Sequence, residues 1–549
     1  MTQGIEARVE TAPVGAARTS VRARLEAHGL WLAVAGVTVA AAAFLLHQLM
    51  AWPPHEDETL ALFVGRDSLP GVIEHVTRDR GGAPLHFLLA WAVAHLGFGL
   101  GALRLLSAFF AIASLPLVAA LGVRLAGARV ALVATVLVAS SWLLLFHGVY
   151  GRMYSLFLFG SLACTLALLE ALQHGGRGRW ALWVAAALLV VATHPYGVLL
   201  LGGQAVYVLL EARDRLREAI IAGAAVLVCG IPFWLTDLVL ADRFDVGVGG
   251  GGEKLGGPWA VARYLWRSAG DATAGWWPVT VAVLVAAAAG VVLLRREART
   301  LVLALLGVTV VAFVVAKLGG SAAPESRHLI FLAPLLAIAV GATLVRAGRR
   351  VPAVTVTLTA VLVVFELAWA WHRTPPLFEW EPDARQAARA DAEAWLALTS
   401  RPDDVLFGYE PLYLGAWERN RSFPTTVVPR ADARLALRTI ERGGQLGRGV
   451  WVLDASERNN IRPRLEIEYR IPEPGSAFRS RMFGPFLVVR TVEPVVTPET
   501  FLYYSQRALL VGQQLGIGDA DINLRTAVLA ARELRGYGPS LRSRSSNSR

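Results

Sequence analysis

The chain is poor in the features that hold small secreted domains together. It has only two cysteines, Cys164 and Cys229, and both fall inside apolar runs, so neither a disulfide framework nor a thiolate metal site is expected. Any metal would have to use carboxylates or histidine. Lysine is nearly missing: Lys254 and Lys317 are the only two, and arginine carries the basic charge. Charged residues make up 17% of the 549 residues while hydrophobic ones make up 55%, and that balance excludes an ordinary soluble globular protein. The net charge of +11 would suggest nucleic acid in a soluble domain. Here the arginines cluster in short connections between apolar runs, and no basic face with interleaved aromatics accompanies them, which argues against a nucleic-acid partner. The glycine-rich stretch Val246 to Gly257 follows no strand and precedes no Gly-Lys-Ser, so it reads as a flexible loop and not as a phosphate cradle.

What the chain does have is length of apolar sequence. Runs able to cross a bilayer, at about 17 to 25 residues each, occur near 29 to 51, 103 to 122, 129 to 147, 153 to 172, 218 to 240, 278 to 294, 300 to 318, 329 to 345 and 351 to 371. A further run, Trp180 to Leu210, is split by His194-Pro195, the one clear break. The expected fold is therefore a polytopic α-helical membrane protein of roughly eleven spans. The polar segment 1–28 reads as a cytoplasmic tail leading into a retained first helix. Arginine-rich connections, among them Arg124 with Arg129, Arg213 to Arg217, Arg295 to Arg299 and Arg346 to Arg350, are expected to be cytoplasmic. Pro84 to Leu100, too short for a comfortable crossing, is read as an interfacial helix within an outer loop, 52–102.

That orientation brings the unusual polar segments to one face, the extracytoplasmic one. These are His55-Glu56-Asp57-Glu58, Tyr150 to Tyr154, His194 to Tyr196, the glycine-rich loop after Leu240 and Glu325 to His328, with the whole tail after Trp371 on the same side. His194 and Arg152 lie within apolar flanks, where polar groups usually face a cavity or each other. The alternative for each segment is an ordinary solvated loop. Trp259, Trp266, Trp276 and Trp277, with Arg263 and Arg267, suit an interfacial helix. From about Pro375 the chain turns polar. Helical patterns at Arg385 to Leu398, Leu435 to Arg442 and Leu524 to Leu534, with strand patterns at 405–408, 450–454 and 485–492, predict a small C-terminal α/β domain over 372–536. Residues 537–549, Ser/Arg-rich, are expected to be disordered.

In this order the segments resemble the GT-C superfamily of membrane glycosyltransferases, and within it glycosyltransferase family 39, the protein O-mannosyltransferase and aminoarabinose transferase relatives. Asp57-Glu58 is similar to the family's acidic pair in the first outer loop. Gly82-Ala83-Pro84-Leu85-His86-Phe87 is similar to His-Pro-Pro-Leu-Tyr-Tyr, with Gly82, Ala83, His86 and Phe87 departing from it. Arg104-Leu105-Leu106-Ser107-Ala108 resembles Arg-Leu-Pro-Ser-Ala. Tyr150-Gly151-Arg152-Met153-Tyr154-Ser155-Leu156 resembles Glu-Ala-Arg-Met-Tyr-Ser-Leu, with Tyr150 in place of the acid. Thr193-His194-Pro195-Tyr196 resembles Thr-His-Tyr-Tyr, and Ser326-Arg327-His328-Leu329 a late Arg-Tyr-Leu motif.

The resemblance implies an inverting glycosyltransferase with its catalytic module over 29–371. It would move a sugar from a polyprenyl-phosphate carrier to a hydroxyl acceptor on an envelope glycan, lipid or exported protein. Asp57 would be the base and Glu58 its partner. Arg327, Arg152 and His194 would bind the donor phosphate, and His86, Tyr154, Tyr196 and His328 would wall the sugar or acceptor pocket. No cofactor is firmly implied; metal-using relatives place a second acid near Tyr150, and this chain does not. Against these roles stand helix capping by both acids, head-group anchoring by Arg327, pairing of Arg152 with an outer-loop acid, and a kink histidine at 194. Two further readings remain open: a transporter or flippase of lipid-linked sugars, and a non-catalytic subunit of the same fold. The alanine and arginine content suggests a bacterial plasma-membrane protein.

Overall fold

The computed structural model describes residues 14–245, 258–317, 325–429, 439, 446–454 and 478–494. The glycine-rich stretch, the expected helices at 435–442 and 524–534 and the terminal segments 1–13 and 537–549 lie outside them. The chain starts with α1 (Val14–His47), which begins well ahead of the apolar run, so much of the expected tail is already helical. The loop over 52–102, expected on the outer face, holds α2 (Glu56–Gly65), α3 (Leu69–Glu74), a π-helical turn over His75–Arg80 and α4 (Pro84–His95). Then follow α5 (Leu100–Ala126), α6 (Ala128–Ser140), α7 (Trp142–Val149), α8 (Tyr154–His174), α9 (Arg177–Thr193) and α10 (Gly197–Glu211). Next come α11 (Leu216–Cys229), α12 (Ile231–Asp245), α13 (Pro258–Asp271), α14 (Trp277–Leu293) and α15 (Arg296–Lys317). A 3-10 segment, Ser326–Leu332, leads into α16 (Ala333–Ala347), and α17 (Pro352–Arg373) closes the helical body.

Over its described residues each apolar run named above is largely helical. Among the described residues, five helices are long and apolar enough to cross a membrane unaided: His28–His47, α5, α8, Ser326–Ala347 and α17. Two bent pairs pass the same test jointly, α6 with α7 at 53° and α11 with α12 at 59°. The sequence showed a single break at His194-Pro195; the structure adds these two. Ser141 makes the first of them: its extended backbone ends α6, and its hydroxyl accepts from Leu144 N at 3.3 Å to cap α7. The 12 residues of α4 reach only about 18 Å, short of the hydrocarbon thickness.

The outer loop is fastened to the helices by one buried ion pair. Arg104, fully buried on α5, donates from Nε and Nη2 to the two oxygens of Glu58 at 2.8 and 2.7 Å. Its Nη1 and Nη2 also donate to the carbonyls of Leu49, Trp52 and Pro53. Glu58 in turn accepts from His55 N at 3.0 Å, closing a capping box on α2, and from Gly151 N at 2.7 Å. Four chain segments thus meet at two side chains.

The C-terminal region contains α18 (Asp383–Thr399), β1 (Val405–Phe407), α19 (Pro411–Arg419), β2 (Val427–Val428), β3 (Gly449–Asp454), β4 (Phe478–Phe483) and β5 (Phe486–Thr491). The strands form a mixed sheet in the order β2-β1-β3-β5-β4, with β1 parallel to β2 and β3, and β5 antiparallel to β3 and β4. Strand patterns predicted three of these; β2, β4 and α19 escaped them. The two-residue β2 is too short to show a period, and β4 is an edge strand that alternates Phe, Arg and Ser. This sheet is not an appendage hung from α17. Leu62, Phe63, Ala90 and Leu103 of the outer loop and α5 share one buried core with Leu406, Tyr413, Trp417 and Val488. Arg66 donates to Phe423 O at 2.7 Å, and Arg80 bonds the hydroxyl of Tyr409.

Two outcomes follow. Arg104→Ala, which leaves Glu58 buried without its cation, should cost about 3–5 kcal/mol and lower the melting temperature of the purified protein sharply, while the double variant Arg104→Met, Glu58→Leu should recover part of that loss. Within the C-terminal core, burial pushes the Glu393 carboxyl up to about 7, against the lowering effects of Arg389 and Arg419 and with Glu418 adding to the rise. A carboxyl raised on folding stabilises below its unfolded value of 4.5 and loses that contribution as pH rises through about 7. Hydrogen-exchange protection of α18 and α19, corrected for intrinsic rates, should therefore fall between pH 5 and 8 in the wild type and stay flatter in Glu393→Gln.

Candidate active site

Adjacent acids on a helix point about 100° apart, and the first turn of α2 uses this. Glu58 turns inward to Arg104. Asp57 turns to the cleft beside the connection between α7 and α8, where its side chain remains 28% exposed. Its Oδ2 accepts from the Tyr150 hydroxyl at 2.8 Å and lies 3.9 Å from Arg152 Nε and 4.0 Å from Arg327 Nη2. His55 caps α2 by accepting from Asp57 N at 3.2 Å, and its Nδ1 lies 3.1 Å from the Tyr150 hydroxyl. The sequence alone gives His55 no role; its value lies in a capping position two residues ahead of an acid. Tyr150, noted only as a departure from a motif acid, supplies the carboxylate's direct hydrogen bond.

Burial raises the pKa of Asp57. The charges of Arg152, His55 and Arg327 and the Tyr150 hydrogen bond outweigh it and hold the carboxyl well below the usual carboxylate range. Arg152 is fixed by one donation, Nη1 to Asp57 O at 3.2 Å, and Arg327 by another, Nη2 to Glu325 at 2.7 Å. Their side chains are only 11% and 17% exposed. Yet the Nε–H of each is buried without a hydrogen-bond acceptor. Arg327 is paired with Glu325 at the rim and Arg152 faces Asp57, yet each guanidinium keeps an Nε–H to spare beside the cleft. Such donors suit an anion with several oxygens.

The remaining sequence candidates form a second cluster beside the arginines. The Arg327 guanidinium stacks over Tyr154 at 5.0 Å. The His194 ring lies 5.7 Å from Tyr154, 5.3 Å from Tyr196 and 5.3 Å from His328, with Tyr196 and His328 5.0 Å apart. His194 is a kink residue as well: it ends α9 in extended geometry before Pro195, and its Nδ1 accepts from Tyr196 N at 3.1 Å. His86 is buried on the first turn of α4 with no partner for Nε2. It is reached through a left-handed run, Gly81 at φ 68°, Gly82 at 64° and Ala83 at 46°. The glycines take this conformation freely, whereas Ala83 pays a strain of about 1 kcal/mol. Sequence reasoning missed His147, which is fully buried against Tyr154 at 4.9 Å with neither ring nitrogen hydrogen-bonded. Its signal was present: a histidine in the middle of an apolar run.

Helix α13 borders this cluster. Tyr264 donates to Glu325 O at 3.1 Å, and Asp271 accepts from Ser326 Oγ at 2.6 Å, so α13 holds the segment that presents Arg327. Trp259 and Trp277 are 74% and 71% exposed.

No protein-family model matches the sequence, and no curated protein matches it either. Solved structures do match. ArnT from Cupriavidus metallidurans in the apo state superposes with a TM-score of 0.53 at 15% identity, covering 85% of this chain and 98% of its own. The same protein bound to undecaprenyl phosphate gives 0.51 at 14% identity, covering 84% and 98%. The archaeal oligosaccharyltransferase AglB from Archaeoglobus fulgidus aligns at 0.45 and 10%, covering 77% of this chain and 69% of its own. The fold of the chain is that of ArnT.

Proposed function

We propose that the protein is an inverting glycosyltransferase that takes a sugar from a polyprenyl-phosphate carrier and transfers it to a hydroxyl acceptor. One observation carries the reading: Arg152 and Arg327, both largely buried and both with an unspent Nε–H, converge on Asp57. The fold shared with ArnT, which binds undecaprenyl phosphate, supports the choice of carrier. In this reading the protein is a multi-pass protein of a bacterial plasma membrane with roughly eleven crossings and a cytoplasmic N-terminus. Residues 29–371 form the catalytic module, and 372–536 an extracytoplasmic domain that binds the acceptor or a partner.

The chemistry follows from the charges. Without donor, the arginines hold Asp57 so firmly ionised that it is a feeble base. A phosphate monoester or diester arriving between them takes up their free N–H groups and cancels much of their field, and the basicity of Asp57 recovers as the donor seats. Asp57 then accepts the proton of the acceptor hydroxyl while its oxygen attacks the anomeric carbon. The bond from that carbon to the phosphate oxygen breaks, and the electron pair stays on the phosphate, where Arg152 and Arg327 stabilise the developing charge. Attack opposite to the leaving phosphate inverts the centre. Glu58, with both oxygens committed to Arg104, Gly151 and His55, positions α2 and does not exchange protons; its expected catalytic part passes to Asp57 alone. His194, Tyr154, Tyr196, His328 and His86 face the sugar and the phosphate.

A transporter of lipid-linked sugars is the second reading, favoured by the two bent helix pairs, since broken helices frame transporter sites. Reconstituted vesicles with labelled polyprenyl-phosphate sugar separate the two. Transfer to acceptor should fall about 10²- to 10⁴-fold in Asp57→Asn with carrier binding retained; equal transfer by both proteins removes Asp57 as the base, and carrier translocation without transfer favours the transporter. Arg327→Gln should raise the KM for donor about 10- to 100-fold, the worth of one charge-assisted hydrogen bond. Because the Asp57 pKa is depressed in the free enzyme, kcat/KM should show no acidic limb from Asp57 above about pH 4. An Asp57-dependent limb between pH 5 and 7 would contradict the assignment.

A further inference from the structure

The far end of α5 carries a second cationic site that the transfer chemistry does not use. Arg104 and Arg124 lie on the same helix, separated by about 30 Å at 1.5 Å per residue, so this site is on the face opposite Asp57. Three connections converge there, between α5 and α6, α14 and α15, and α16 and α17. They line a cleft of about 540 Å³ with five arginines, Arg124, Arg129, Arg295, Arg346 and Arg349, and no carboxylate. Arg124 is partly spent on Glu170 at 3.2 Å and Gln173 at 2.7 Å. Among the described residues, the other four have neither an ion pair nor a hydrogen-bonded acceptor through their side chains.

Simple topology signalling needs basic residues in these connections but not their convergence on one cavity. Four unpaired guanidinium groups sharing a cleft repel one another, and the repulsion is relieved by a bound anion. The rest of the lining is apolar, including Val123, Val130, Leu293 and Val345. Beside it Val292 and Leu293 are 69% and 47% exposed on a helix of the membrane body. A cationic mouth above an apolar, lipid-facing wall matches an amphiphile better than a free ion. We propose that this cleft binds the phosphodiester headgroup of an anionic membrane lipid, with its acyl chains running along the α14 wall.

The full-length protein in detergent, titrated with phosphatidylglycerol and separately with phosphatidylcholine and followed by native mass spectrometry, tests this. Wild type should retain phosphatidylglycerol in preference to phosphatidylcholine. Arg129→Gln, Arg295→Gln, Arg349→Gln together should weaken phosphatidylglycerol about 100-fold, at the contribution expected for three arginines near an anionic surface. The control pair Arg177→Gln, Arg213→Gln, on the same face but outside the cleft, should leave it unchanged. Unaltered retention by the triple variant overturns the site, and so does an equal loss in the control pair, which would reduce the effect to general surface charge. Displacement of the lipid by millimolar inorganic phosphate would assign the cleft to a free anion and overturn the lipid. Should the triple variant fail to fold, Arg129→Gln and Arg349→Gln singly should each weaken binding about 5-fold, and no change in either overturns the proposal.

Discussion

The Glu58–Arg104 pair is the contact on which the site's geometry hangs. A fully buried ion pair contributes little net stability when compared with well-packed apolar groups, because desolvation offsets most of the attraction. Its value is specificity of arrangement. Arg104 has five N–H donors in a fixed plane and here meets one carboxylate and three loop carbonyls; Glu58 returns two bonds to the backbone of α2 and of the Tyr150–Arg152 connection. Any shift of α2 along α5 would break several of these at once. The loop that carries α2, which a solvated sequence of Pro, His and acids would leave mobile, is thereby registered against α5 and the start of α8.

That registration divides two neighbouring carboxylates by environment. Glu58, without exposure, is neutralised by a bidentate partner. Asp57, one residue earlier, keeps access to the cleft and sees two arginines at close to 4 Å that do not form a close bidentate pair with it. Charge at that distance sets a field without saturating the donors, and the difference matters for chemistry. A closed ion pair would leave nothing for a phosphate to bind, whereas an open one leaves the cations their N–H groups and the acid its lone pairs. The outer loop's shared core with the C-terminal sheet makes the same cleft rigid from the other side, through Phe63 against Tyr409 and Trp417.

Much of this was legible in the residues. Helical runs showed through hydropathy because the bilayer imposes length, and Asp57, Arg152, His194 and Arg327 stood out because polar residues are rare at such depths. What escaped detection depended on direction or partnership. Nothing in Asp57-Glu58 says which acid faces inward; that is fixed by Arg104, 46 residues away. Tyr150 and His55 are ordinary residue types whose role arises only when α7 bends back at Ser141. The short strand β2 and the arginine-bearing β4 exist through their neighbours and have no pattern of their own to read.

Part of the irregular backbone of the helical body lies beside this site, and it is covered by protein. Unpaired N–H and C=O groups are tolerated at membrane depth only where protein covers them. Ser141, His194 and Gly230, where helices break, are buried, as are Gly81, Gly82 and Ala83, where the backbone turns left-handed. Each break costs intrahelical hydrogen bonds, and backbone groups beside it find other partners: Gly82 N donates to the Thr236 carbonyl at 2.9 Å, Tyr196 N to His194 Nδ1, and Leu144 N to Ser141 Oγ. A bundle built only for stability would keep these helices continuous. Breaking them lets Tyr150 and Arg152, at the end of α7, and His194, at the end of α9, come within one cleft of Asp57 and Arg327. Beside the breaks at Ser141 and His194, Arg152 and Arg327 each keep a buried Nε–H without an acceptor.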